Sequence, residues 1–174
     1  VLRVSAAIDR INDGFGTVAK WLTLVLVLNV TFDVVTRYAF NFSIVASQEM
    51  EWHVYSLIFL LGAGWALKEE RHVRVDILYT SRPPKVKAWI NIIGTVFFLL
   101  PFSVLGMYAT LPYVRASFRN GEISNDPGGL PYRWFIKGAV VLGFLLIFLQ
   151  GIAELIKAVQ FVRDRNPEYA EKIG

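Results

Sequence analysis

The chain contains no cysteine and only two histidines among its 174 residues. The first absence excludes disulfides and thiol chemistry, and with them any reading of the redox compartment. The sequence also lacks an HExxH run, a Walker-type loop and a nucleophile elbow, which removes the common metal, nucleotide and acyl-transfer sites. Charge is scarce as well: 18% of residues are Asp, Glu, Lys or Arg, against 55% that are hydrophobic. With a mean hydropathy of +0.46, the chain carries more apolar surface than a soluble core of this size can hide.

What is present in place of those features is four long apolar runs, centred on residues 21–32, 54–67, 86–111 and 135–156. A helix of about 20 apolar residues crosses the ~30 Å core of a bilayer. A β-barrel would alternate apolar and polar positions, whereas Leu22-Thr23-Leu24-Val25-Leu26-Val27-Leu28 and the stretch from Val140 to Leu149 are apolar all round. Only helices satisfy their own backbone groups while showing such a surface to lipid. The expected fold is therefore an all-α integral membrane domain over residues 1–174, with four transmembrane helices at about 17–39, 47–67, 86–111 and 133–157. The first run continues through Tyr38 without a small-residue cleavage site, so it is expected to stay as a span and not to be removed as a signal peptide.

Thirteen of the 18 lysines and arginines fall before the first run, between the second and third, or after the fourth. The remaining five, Arg37, Arg115, Arg119, Arg133 and Lys137, fall on the other side. By the positive-inside rule both termini and the middle loop are cytoplasmic. This distribution along membrane flanks also accounts for the net charge of +4 without a nucleic-acid partner, and none is expected.

Residues 1–13 are too polar to span. Leu2, Val4, Ile8 and Ile11 form an apolar stripe that fits either an amphipathic helix in the membrane interface or a tail leading into the first span. Gly14-Phe15-Gly16 offers a bend between such a helix and the span. A short turn at Asn41-Phe42-Ser43 makes the first two helices an antiparallel hairpin. Pro83-Pro84 opens the third helix, Pro101 is expected to kink it, and Arg115 to Arg133 is expected to be a connector.

Ionisable groups at membrane depth are costly and therefore draw attention. Asp33 and Arg37 stand one turn apart, as do Glu49 and His53, and the hairpin brings all four to one depth. A proton or ion relay and a polar clasp between helices both fit these residues; their position near an interface favours the clasp. Gln150 and Glu154, with Lys157 nearby, suit packing or snorkelling at the end of the fourth span. Gly62 with Ala66, and Ala139 with Gly143, are small-xxx-small pairs that allow close helix approach. A haem shared by His53 and His72 is the alternative that respiratory membrane anchors suggest. Nineteen helical residues separate the two, about 28 Å, which is too far for one haem.

Gln48-Glu49, followed by Leu61-Gly62-Ala63-Gly64-Trp65-Ala66-Leu67-Lys68 and then Arg71-His72-Val73-Arg74-Val75-Asp76, resembles the signature of the small membrane (Q) subunit of tripartite ATP-independent periplasmic (TRAP) transporters. Thr36-Arg37-Tyr38 and the four-span layout are similar too. The chain departs from that pattern at Glu51 and Trp52, where the family often has a small residue and an arginine. The resemblance implies a non-enzymatic scaffold in the bacterial inner membrane, without a cofactor of its own. It implies a large membrane subunit holding the substrate and sodium sites, and a periplasmic binding protein that delivers an organic acid and docks on the outer face. His72, Arg74 and Asp76 would then fix the cytoplasmic hairpin or its contact with the large subunit.

Overall fold

The computed structural model describes residues 2–69 and 82–164, and among these every regular element is a helix. They are α1 (Leu2–Phe40), α2 (Val45–Lys68), α3 (Pro84–Arg119) and α4 (Trp134–Asp164). Three helical stretches, Arg3–Phe40, Pro84–Arg119 and Trp134–Arg163, are long and apolar enough to cross a membrane. α2, at 24 residues, has the length, but Glu49, Glu51, His53 and Ser56 make its first half less apolar than the others.

α1 corrects one expectation from the sequence, because the helix passes through Gly14 and Gly16 unbroken. Gly16 serves contact instead of bending: a Cβ there would stand 2.6 Å from Cγ of Trp65 on α2. The ring of Trp65 therefore lies directly on the α1 backbone. The helix stops at Asn41, which takes a left-handed φ of 51°, a conformation asparagine tolerates better than most residues. The Phe42 amide then donates back to the Thr36 carbonyl at 3.1 Å, and α2 starts three residues later.

α3 begins on Pro84, with Pro83 extended before it (φ −63°, ψ 150°). A proline at the first helical position loses no bond that the helix needs. Pro101 lacks the amide for the next turn and crowds the carbonyl four residues back. The chain answers with a π turn at Thr95–Leu99, in which the Leu100 amide reaches five residues back to Thr95. Ser103 donates its hydroxyl to the Leu99 carbonyl at 2.7 Å. Pro112 is carried inside the helix, so α3 outruns the expected end at residue 111 and the connector starts later than Arg115. The stop signal is Asn120-Gly121, the glycine at φ 58°.

α4 is the axis of the bundle and packs against each of the other three helices. One core cluster joins Ala19, Leu61 and Leu146, from α1, α2 and α4. A second joins Ala88 of α3 to Ala158 and Phe161 of α4. Phe144 fills the notch at Gly106, where a Cβ would stand 2.6 Å from its ring, and meets Phe102 edge-on at 5.7 Å. The α1–α2 turn and the α3–α4 connector share one end of the bundle, here the hairpin end. The start of α1 and the last turns of α2 and α4 share the other, the terminal end.

Candidate functional site

Polar chemistry is concentrated at the two ends. At the hairpin end its centre is the Glu49 carboxylate, 5% exposed. It accepts hydrogen bonds from the Ser124 hydroxyl, from the Leu130 amide at 2.6 Å and from the Arg133 guanidinium at 2.8 Å. One acidic side chain on α2 thus holds both limbs of the α3–α4 connector. The connector closes on itself as well, through the Ser124 amide to the Leu130 carbonyl and the Arg133 amide to the Glu122 carbonyl, both at 3.1 Å. A Cβ on Gly129 would fall 2.4 Å from the Ser124 hydroxyl and 2.8 Å from Glu49 Oε2. Only glycine lets the chain pass so near the carboxylate.

Arg133 also lies over the Trp52 ring at 5.4 Å, and Trp52 stacks at 3.8 Å on His53, whose Nδ1 meets the Glu49 carbonyl at 2.6 Å. At the departure from the family pattern, Trp52 therefore forms part of the same layer. On the connector itself Glu122 pairs with Lys137. The lysine's hydrogen bond, before any other influence, holds the Glu122 carboxyl below its usual range.

At the terminal end α1 and α4 are joined by a polar lattice. Asn12, fully buried, donates to Gln150 Oε1 at 2.8 Å. Gln150, also fully buried, donates to Asp9 at 2.9 Å and to Glu154 at 3.0 Å. Lys157 binds the same two carboxylates, at 2.9 and 3.1 Å. Lys68, on the last turn of α2, pairs with Asp13. The first turns of α1 are thereby tied to both α2 and α4.

The residues singled out from the sequence fall into separate places. Asp33 is buried and paired with Arg37 on its own helix. Glu49 finds its cationic partner 84 residues away in Arg133. A polar contact that joins α1 to α2 is made by Asn29, which donates to the Ser47 carbonyl at 2.9 Å and accepts from its hydroxyl at 3.2 Å. Gly143 lies against Leu60, where a Cβ would meet backbone and side chain at 3.2 Å, and Ala139 is buried on the same face. Gly62 faces Ala19 more loosely, and Ala66 is half-buried. The tight glycine of α2 is Gly64, against Asn12 and Leu146. His72, Arg74 and Asp76 lie outside the described residues.

Sequence reasoning missed Asp9, Asn12, Ser124 and Arg133. For the terminal lattice a signal existed: Asp9 and Asn12 are one turn apart on α1, and Gln150, Glu154 and Lys157 recur at helical spacing on an otherwise apolar run. Among the described residues no group of His, Cys, Asp and Glu is arranged to hold a metal ion. The charged side chains described above are engaged with one another, an arrangement that fixes helices and a loop.

Residues 3–161 match the family described as tripartite ATP-independent periplasmic transporters, DctQ component. A TRAP transporter small permease protein of Haemophilus influenzae is 26% identical over 133 residues, 76% of this chain and 80% of that protein. The ectoine TRAP transporter small permease protein TeaB of Halomonas elongata is 27% identical over 146 residues, 82% of this chain and 71% of its own length. The sialic acid TRAP transporter permease protein SiaT of Haemophilus influenzae is 22% identical over 116 residues, 66% of this chain but 18% of that longer protein. No solved structure matches the chain.

Proposed function

The chain belongs to the DctQ component family of tripartite ATP-independent periplasmic transporters, and on that premise we propose that it is the scaffold subunit of a sodium-coupled organic-acid uptake system. It is a transmembrane transporter component and not an enzyme. In this reading α2 is the fourth span, both termini are cytoplasmic, and the membrane is the bacterial inner membrane. The haem or quinone anchor has no support from the relatives, which are transporter permeases.

The observation that carries the proposal is the way Glu49 is used. A carboxylate 5% exposed at the head of a membrane helix would suit a transport relay. Its oxygens are instead occupied by Ser124, Leu130 and Arg133 of the connector. Such a group builds a fixed platform at the hairpin end, which on this orientation faces the periplasm and the substrate-binding protein. Substrate and sodium would then be held by the large membrane subunit. SiaT, a permease of which the aligned part is 18%, is consistent with a much larger transport unit beside this one.

For the large subunit, α1 offers an uninterrupted face. Val4, Ile11, Val18, Val25 and Phe32 recur every seven residues and all are exposed, the spacing that keeps one seam facing a neighbouring helix. The α1 helix of 39 residues is about 58 Å long, more than the ~30 Å hydrocarbon core requires. Its apolar face therefore extends past the level that lipid tails cover. Asp33, Arg37, His53 and the small-residue faces act in this account as internal supports, while His72, Arg74 and Asp76 remain assigned to the cytoplasmic contact.

Reconstitution tests the reading. Proteoliposomes with this chain, the large subunit and the binding protein are expected to take up substrate only with a sodium gradient, and to lose uptake when any component is omitted. Uptake by this chain alone would overturn it.

A further inference from the structure

A groove of about 730 Å³ runs between α1, α2 and α4, with Phe102 of α3 on its wall, toward the terminal end, and the scaffold role makes no use of it. Its floor is Ala19, Gly62, Ala63 and Gly143, and Phe59 and Phe102 close it toward mid-bundle. From Trp65 to Ile58 it follows α2 for about 10 Å. Almost all of its lining is apolar; the exceptions are Thr23, whose hydroxyl is spent on the Ala19 carbonyl at 3.1 Å, and Lys20 at the mouth.

Lys20 makes this groove different from an ordinary dip in a membrane protein's surface. Its ammonium is held over the Trp65 ring, 4.6 Å from the centroid, which fixes the charge at one point of the rim. Among the described residues it has no carboxylate partner, whereas nearby Lys68 is paired with Asp13 and Lys157 with Asp9. It also stands at the boundary of the apolar run, one residue before Trp21, 66% exposed, where headgroups meet hydrocarbon. A cation at headgroup level above a narrow apolar slot is complementary to an anionic headgroup with an acyl chain beneath it.

We infer that this groove is a binding site for one anionic phospholipid of the bilayer, its phosphate on Lys20 and an acyl chain along Ala19, Gly62, Ala63 and Gly143. The lipid would seal the seam of three helices at the level where α1 leaves the membrane. The site is formed wholly by this chain, so its test does not depend on the large subunit.

The full-length chain, purified in mild detergent and supplied with equal phosphatidylglycerol and phosphatidylethanolamine, is examined by native mass spectrometry for retained lipid. The wild type is expected to retain a single lipid with a preference of about fivefold for phosphatidylglycerol, the effect of one lysine at a membrane surface. Lys20→Gln is expected to lose that preference and keep its helical content. Ala63→Phe, which fills the groove, is expected to lose the retained lipid itself. Equal preference in wild type and Lys20→Gln, or no retained lipid in the wild type, overturns the inference. So does a cross-link from position 63 to a helix of the large subunit in the complex, which would make the groove a protein interface. Should Ala63→Phe fail to fold, the Lys20→Gln comparison still decides.

Discussion

The side-chain oxygen of Asn12 lies 2.0 Å from the position a Cβ on Gly64 would occupy. The two helices meet there so closely that α2 can offer only backbone, and the Asn12 oxygen rests against the glycine's Cα, the kind of approach in which a Cα–H···O contact forms. The Gly64-Trp65 step thus carries two complementary contacts: a side chain of α1 on a glycine of α2, and Trp65 of α2 on Gly16 of α1.

Gly64→Ala is expected to destabilise the bundle by about 1–3 kcal/mol through overpacking, although alanine is the better helix former. Thermal unfolding in detergent measures this. Adding Asn12→Ala should recover part of the loss, because the smaller side chain vacates the space. If Gly64→Ala alone is as stable as wild type, the close approach is not as described.

Lys157 is shared by Asp9 and Glu154, with side chains 14–19% exposed. Lys157→Ala removes the cation that Asp9 and Glu154 share and is expected to cost about 2 kcal/mol, between an exposed pair and a fully buried one. Lys157→Met with Asp9→Asn removes charge on both sides and should cost clearly less than Lys157→Ala. Chemical-denaturant unfolding of the three proteins checks the order.

Glu49→Gln keeps the shape but removes the charge that gathers Ser124, Leu130 and Arg133. Hydrogen exchange is expected to accelerate at the Leu130 amide and across the connector, with the terminal-end lattice unchanged. An unaltered Leu130 amide would mean that the connector holds itself together without α2.

The Glu122 carboxyl is held low by Lys137, so the folded protein keeps it ionised at a pH where the unfolded chain is already protonated. The pair's contribution is fully present above the ordinary glutamate value of about 4.3 and is lost as pH falls through the lower folded value. Thermal midpoints should therefore drop more steeply with acidification in wild type than in Glu122→Gln. Parallel curves would remove this pair from the account.

Hydropathy made the helices legible, because an all-round apolar run of this length has few other solutions. It could not show that α1 is one helix: Gly14 and Gly16 read locally as a break, and the reason for Gly16 is a tryptophan 49 residues later. α3 also runs to Arg119, into the stretch expected to be connector. Pro112 is carried inside the helix, and the stop comes at Asn120-Gly121. Glu49 stood out as an ionisable group at membrane depth, but its nearest candidate partners in sequence were not those it uses. Its pairing with Arg133 depends on where the connector folds back, which no local pattern encodes. Gly64 belonged to the recognisable Gly-Ala-Gly-Trp segment, while its counterpart Asn12 sat in a stretch whose polarity suggested interface or solvent.

The most direct test of the central claim is co-expression of this chain with a large TRAP membrane subunit from the same transporter, with one copy tagged and carried through detergent purification. The account predicts a stable one-to-one complex. It further predicts that Val18→Cys or Leu28→Cys, on a chain without native cysteine, cross-links to a cysteine on a helix of the large subunit. Recovery of this chain by itself, as a monomer or as an assembly of its own copies, would contradict the scaffold reading.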